Sequence, residues 1–419
     1  MDLIRNGRPR VVVTGLGAVT ALGNAKSLWE ALKTGTTGIR KITTFPTDYV
    51  PITIGAEVRD FDSSQYIDHK EARRMGRATQ FATVAAHYAL EDSGMSLEDI
   101  DRISERVGVV VGTTFGSHEL TTDATHEYLM THKKPNPFTM VNSLPNMPAH
   151  YISRFMRALG PLETQSTACA AGTQGVGAGA ELIKNGRADV VFAGGVDALL
   201  KDYTIAGFSA MKALASEYND DPARASRPFD KNRSGFVIGE GSAMLVLESL
   251  AHAIKRGARI YAEVLGFASS SDGYHVAALD PSASGATRSM RWALEDAHLN
   301  PQDVQYVNAH GTSTQQNDAM ETQAIKNVFG EHAYKMAISS TKSMLGHAFG
   351  ASGAIEAIAS VMTLVEQFIH PTINYETPDP DCDLDYVPNE GREVKDLKAA
   401  ISNSFGLGGQ NASVVFGTL

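Results

Sequence analysis

At 419 residues and 44.8 kDa the chain can bury a large core and could hold two or three domains. Hydrophobic residues make up 43% and charged residues 20%, a balance that excludes disordered and fibrous classes. The formal charge of -10 disfavours nucleic-acid binding, and two cysteines exclude a disulfide framework and fit a reducing, cytoplasmic setting. No apolar run is expected to reach the roughly 18 residues of a membrane span, and the first ten residues are not expected to act as a targeting segment.

Short β-branched runs alternate with Ala-rich helical stretches, the pattern of a layered α/β protein. Strands are expected at 10–15, 106–112, 188–194 and 242–248, with helices at 27–32, 74–92, 173–185 and 250–256. A second set follows: strands at 260–267, 304–308, 335–339, 399–402 and 412–416, with helices at 284–297, 318–329 and 350–366. The near-continuous apolar strands predict a sheet covered on both faces by helices. The two sets echo each other in order, which reads as an internal duplication. No Gly/Ser or Pro-rich linker separates them, so one rigid unit is expected. Stretches 33–66, 113–148 and 370–396 lack periodicity and are expected to be irregular binding elements, lids or surface loops.

Chemistry concentrates at Cys169, in Gln165-Ser166-Thr167-Ala168-Cys169-Ala170-Ala171-Gly172. It would open a helix, where free backbone N–H groups and the positive dipole end lower a thiol pKa and can hold an oxyanion. A buried core cysteine is the alternative. Cys382 lies in a polar run with no activating neighbour. His310, in Asn308-Ala309-His310-Gly311-Thr312, and His347, in Lys342-Ser343-Met344-Leu345-Gly346-His347, lie in small-residue settings, either structural or presenting Nε2–H to a developing enolate. A metal is not expected, since no ligand spacing supports one. Lys342 is expected to be buried with Glu356 as its partner. Asp318 and Glu321, one turn apart, are orienting groups or a solvated face.

Other features divide between function and surface. Thr14-Gly15-Leu16-Gly17-Ala18-Val19-Thr20 has two glycines of a dinucleotide fingerprint, but Thr20 stands where the third belongs, so no nucleotide cofactor is expected. Lys70, Arg73 and Arg74 would share one helix face, and Lys133-Lys134 forms a second basic spot. Residues 402–411 read as a flexible close-approach loop.

Taken in order, Val13–Gly17, Thr167-Ala168-Cys169, Arg227–Asp230 running to Gly239-Glu240-Gly241, His310–Thr314, Lys342–His347 and Asn403–Gly406 resemble the β-ketoacyl-[acyl-carrier-protein] synthases of the elongating, Cys-His-His type, over nearly the full length. The resemblance implies a thiolase-like fold: two similar βαβαβαβαβ halves, residues 1–256 with Cys169 and 257–419 with His310 and His347, in a five-layered αβαβα homodimer. It implies decarboxylative condensation of a malonyl group on an acyl carrier protein with an acyl chain held on Cys169, promoted by His310 and His347, in fatty-acid elongation. Lys342 and Glu356 match the family's ion pair, supported by Asp318 and Glu321. The amides of Cys169 and of Phe405 or its neighbour would form the oxyanion hole, with Phe405, Gly406 and Leu407 as the gate loop. Thr312 and Thr314 would line the pantetheine tunnel, and Phe115 and Phe208 the acyl pocket. Lys70, Arg73, Arg74, Lys133, Lys134 and Lys212 become docking contacts for an acidic carrier. No cofactor, nucleic acid or membrane is implied. Leu407 replaces the second Phe of the usual Phe-Gly-Phe-Gly-Gly, which puts gating in question, and Phe115 stands where long-chain enzymes often carry a smaller residue. A type II polyketide ketosynthase shares nearly all these residues. A thiolase would need a second cysteine in 402–411, and a chain-length-factor-like partner would lack Cys169.

Overall fold

Ten strand-forming runs meet in one mixed sheet. In a computed structural model, which describes residues 2–419, these are β1 (Val11–Thr20), β2 (Val107–Gly112), β3 (Leu162–Gln165), β4 (Val190–Asp197) and β5 (Gly241–Ser249). The second half contributes β6 (Ala262–Ser271), β7 (Tyr306–Asn308), β8 (Ala337–Ser339), β9 (Ala399–Gly406) and β10 (Gln410–Gly417). The order across the sheet is β8-β7-β9-β10-β6-β1-β5-β4-β2-β3. Each half therefore follows one plan. Its second strand runs parallel to the third and fourth, and its fifth is antiparallel to the fourth and first. The halves join edge to edge where Val12 and Val13 pair with Glu263 and Ala262.

Helices cover both faces, as the unbroken burial of β1, β2, β4 and β5 requires. Helices α1 (Arg77–Ser93) and α3 (Met147–Met156) pack on the outer face of the first half through Phe81, Ala85, Met147 and Ile152. Between them in sequence lies α2 (His118–Thr131). The middle layer is α4 (Ala171–Lys184) with α7 (Ser352–Glu366), whose Val176, Ile183, Ile355 and Ile358 contact both halves of the sheet. Helices α5 (Ser284–Ala297) and α6 (Gln315–Phe329) cover the outer face of the second half. The result is the expected αβαβα layering.

Several expectations change. The first strand, expected to end at residue 15, runs on through Leu16 and Gly17 to Thr20. A Cβ at Gly15 would lie 2.3 Å from Ala89 O and one at Gly17 2.0 Å from Ala85 O, so these glycines let α1 sit directly on the strand. Residues 402–411 form most of a hairpin, with only Leu407–Gly409 between β9 and β10. Helix α2 falls inside the stretch read as irregular; it is mostly exposed and carries no apolar stripe for periodicity to detect. One stretch, Phe349–Glu366, is long and apolar enough to cross a membrane, but 83% of it is buried in the middle layer.

Candidate active site

After β3 the chain passes through Ala168, at φ +50°, and delivers Cys169 in a single 3₁₀ turn that runs straight into α4. Gly406 on β9 makes room for this turn, since a Cβ there would sit 3.1 Å from Cys169 N. The helix start was expected to acidify the thiol, but burial wins. The thiol is pushed up to about 11, although the Leu407 amide, the Lys342 charge and its own amide pull it down. At neutral pH Cys169 is a thiol. The second cysteine, Cys382, is also buried and pushed up to about 12.

His310 stands just beyond β7, on a loop held by a carboxylate. The backbone N–H groups of His310 and Gly311 each donate to one oxygen of Glu321 at 2.8 Å. Burial pushes the Glu321 carboxyl up to about 7 while these two donors oppose the rise. Lys342 Nζ lies 2.7 Å from His310 O and 3.3 Å from its Nδ1. An ammonium only donates, so Nδ1 accepts and the ring proton sits on Nε2.

His347 reaches the same tautomer by another route. Its Nδ1 lies 3.0 Å from Ser352 Oγ, which accepts the Ala348 N–H at 2.9 Å and has its own proton left to donate to the ring. His347 Nε2 is buried and has no hydrogen-bond partner among the described residues. The two imidazoles lie 5.4 Å apart at 85°. Burial and the charge of Lys342 hold both well below the usual 6.5, so both are neutral at pH 7. Lys342 is bonded to Glu356, both sealed from solvent, and Thr341 Oγ1 donates to the same carboxylate oxygen at 3.1 Å. Burial raises the Glu356 carboxyl against the pull of Lys342.

Cys169, His310 and His347 open together into a cavity of about 470 Å³. Phe405 packs against His310 with ring centroids 5.8 Å apart. Phe208, Phe236 and Phe349 form an aromatic wall, with Phe349 stacked on His347 at 5.1 Å. Thr312 and Thr314 line the cavity with hydroxyls 3.0 Å apart, and Lys212 and Leu407 also border it.

Other predicted residues fall elsewhere. Phe115 is 47% exposed and outside this cavity, beside His118. Asp318 is buried but accepts from Phe229 N at 2.8 Å and faces Arg233 at 3.4 Å, anchoring that segment to α6. The amides that pull the Cys169 thiol down are its own and that of Leu407, two residues past Phe405. Lys70, Arg73 and Arg74 are exposed but do not share a helix face. The helix there is only His69–Ala72, Arg73 caps it, and Arg74 lies over the Phe138 ring at 5.7 Å. Lys133 pairs with Glu127 at 2.8 Å, and Lys134 is exposed. Sequence reasoning missed Ser352, Phe236, Phe349 and Asp197. Ser352 at the start of α7 and Asp197 after Gly194-Gly195 at a strand end were the signals available.

The chain also matches known proteins. The family described as "Beta-ketoacyl synthase, N-terminal domain" matches residues 8–253, and "Beta-ketoacyl synthase, C-terminal domain" matches 261–376. The 3-oxoacyl-[acyl-carrier-protein] synthase 2 of Synechocystis sp. is 45% identical over 98% of each chain. The Staphylococcus aureus protein of the same name is 44% identical over 97% of this chain and 98% of its own. Among solved structures, a beta-ketoacyl synthase from Burkholderia phymatum superposes with a TM-score of 0.90 at 37% identity, covering 98% of this chain and 99% of its own. The ishigamide ketosynthase/chain length factor gives 0.91 at 36% identity, covering 98% and 100%. A type II polyketide ketosynthase solved with its acyl-carrier protein gives 0.90 at 35%, with the same coverage. By family match and near-full-length identity, the chain belongs to the beta-ketoacyl synthase family.

Proposed function

We propose that this chain is the condensing acyltransferase of fatty-acid elongation, joining a malonyl group on acyl carrier protein to an acyl chain carried on Cys169 and releasing CO2 and a 3-oxoacyl-carrier product. The observation that carries this reading is one cavity holding a thiol at a helix start and two neutral imidazoles, with Nε2 of His347 unpartnered. In the first step the Cys169 thiol displaces the carrier thiol from its thioester. One thiol replaces another, so no net proton is lost and a thiol pKa near 11 is tolerable. The amides of Cys169 and Leu407 hold the oxyanion.

Malonyl-carrier then enters along Thr312 and Thr314. Loss of CO2 leaves an electron pair as an enolate, whose oxygen receives hydrogen bonds from Nε2–H of His310 and His347. Neutral donors suffice because decarboxylation creates the nucleophile without a base. The carbanion attacks the acyl carbonyl, and the Cys169 thiolate leaves and takes a proton from solvent. Lys342, with Glu356, fixes the His310 tautomer, Glu321 fixes its loop, and Asp318 supports α6 beneath it.

Lys212 beside the cavity, with Lys70, Arg73, Arg74, Lys133 and Lys134 on the surface, would receive an acidic carrier protein. The exposed apolar side chains Tyr128, Leu129, Met130, Phe138, Met140 and Leu144, together with edge strand β3, favour a homodimer through this face. The division into halves 1–256 and 257–419, the cytoplasmic setting and independence from a cofactor are parts of the same reading. Identity of 44–45% over nearly the full length to proteins named 3-oxoacyl-[acyl-carrier-protein] synthase 2 supports the fatty-acid pathway. The test is mass spectrometry of the carrier after incubating the protein with acyl-carrier and malonyl-carrier. A 3-oxoacyl product two carbons longer than the primer supports the reading; intact primer with no CO2 release refutes it.

A further inference from the structure

We propose that Asp197 is a positioning residue for this condensation, fastening the turn beyond His347 to the segment after β2, whose Gly112 packs on the start of α4 behind Cys169, so that thiol, imidazole and aromatic wall keep one geometry. The inference rests on the reading above and adds a residue that none of the predicted roles includes. Asp197 ends β4 and is completely buried. No cation pairs with it among the described residues. Instead its oxygens collect donors from two distant segments. From the segment after β2 they accept Thr113 Oγ1 at 2.8 Å and Thr114 N at 2.9 Å, with Phe115 N more distant at 3.4 Å. From the segment after His347 they accept Gly350 N at 2.7 Å. A carboxylate so deep in the protein, satisfied only by neutral donors, is costly unless every donor stays in place.

The Gly350 bond is the informative one. Phe349 has φ +49°, a left-handed conformation that a bulky side chain holds only when its surroundings impose it. Phe349 is also the ring stacked on His347 and the centre of the aromatic wall. On its other side the Gly350 carbonyl presses on two more backbones. A Cβ at Gly172, in the first turn of α4, would sit 2.5 Å from that oxygen, and one at Gly195 on β4 would sit 2.2 Å from it. The turn that follows His347 and the helix that follows Cys169 thus touch at bare backbone, and Asp197 holds the turn in that contact by tying Gly350 to the segment after β2. Without it, Phe349 is free to relax toward an ordinary φ and carry the His347 ring with it.

Asp197→Asn tests this with little change of volume, since its amide presents N–H to one of the donors it must accept. Thr113→Val removes one donor and leaves the charge, and Thr113→Ser restores that donor. We expect Asp197→Asn to lower kcat for malonyl-carrier decarboxylation and for condensation at least tenfold, with KM for malonyl-carrier changed less than twofold. Thr113→Val should fall in the same direction by a smaller factor and Thr113→Ser should recover. If Asp197→Asn fails to fold, the Thr113 pair decides alone. Wild-type kcat in Asp197→Asn or Thr113→Val overturns the proposal, as does a loss that merely follows the unfolded fraction in near-ultraviolet circular dichroism. An inactive wild-type protein would instead refute the condensing function, so the two failures are distinguishable.

Discussion

Ser352 Oγ stands 3.0 Å from His347 Nδ1, and this single contact decides which ring nitrogen presents a proton to the cavity. The corresponding contact on His310 comes from Lys342, a charged donor in place of a hydroxyl. Two unlike neighbours thus impose the same tautomer on two imidazoles.

Ser352→Ala frees His347 to place its proton on Nδ1, leaving an acceptor facing the enolate. Decarboxylation of malonyl-carrier should fall by about a hundredfold, the effect of losing one oxyanion donor. Alkylation of Cys169 by iodoacetamide should stay near wild type. CO2 release and labelling, measured on the same preparation, separate the two effects.

The two half-reactions should respond differently to pH. With the thiol near 11, the Cys169 alkylation rate should climb by about tenfold per pH unit between pH 7 and pH 9, because each step raises the thiolate fraction in proportion. Both imidazoles are depressed below 6.5 and are already neutral there, so decarboxylation should be flat over the same range. A decarboxylation profile that rises through pH 7 would point to the Glu321 carboxyl, pushed up to about 7 and clamping the His310 loop, or to a histidine that titrates in the working range.

Lys342→Ala strands the Glu356 carboxyl in the core, where one oxygen already lacks a partner among the described residues. Breaking such a pair costs about 3–5 kcal/mol, which urea unfolding would register as a lower midpoint. Replacing both partners, as Lys342→Met with Glu356→Leu, should recover much of that stability while leaving decarboxylation impaired, since the His310 tautomer is no longer fixed.

Phe208 is half-buried and contributes to the aromatic wall without touching either histidine ring. Phe208→Ala should enlarge the cavity and shift the preferred primer toward longer chains with the maximum rate changed less than about threefold. Rates across a series of acyl-carriers would show it, and an unshifted profile would place the acyl chain elsewhere.

The sequence disclosed most of this arrangement where chemistry and backbone geometry coincide. Cys169, His310 and His347 stand out because small residues surround them, and small residues are what a crowded backbone crossing needs. The duplicated strand plan was legible because apolar runs recur in the same order. The thiol pKa was misjudged because a helix start is visible in sequence and burial is not. Phe115, expected in a pocket wall from the resemblance, stands half open to solvent on a stretch rich in exposed apolar groups, outside the cavity that holds Cys169. Lys70, Arg73 and Arg74 show that i, i+3 spacing means little when the helix ends after one turn. Asp197 takes its donors from distant segments, which spacing along the chain cannot show, and Ser352 reaches His347, five residues back, only because the intervening turn folds its hydroxyl onto the ring.

The thiol arrives on a helix that follows β3 and the imidazoles on loops that follow β7 and β8, so the chamber exists only where the two repeats of the strand plan meet. Their sheets are stitched together by two residue pairs alone. A small slippage along that seam, opposed by the middle layer of α4 and α7 that the repeats share, would part sulfur from rings before the strands themselves came apart. Gentle heating or dilute urea should therefore silence turnover while the circular dichroism of the backbone still reads as native.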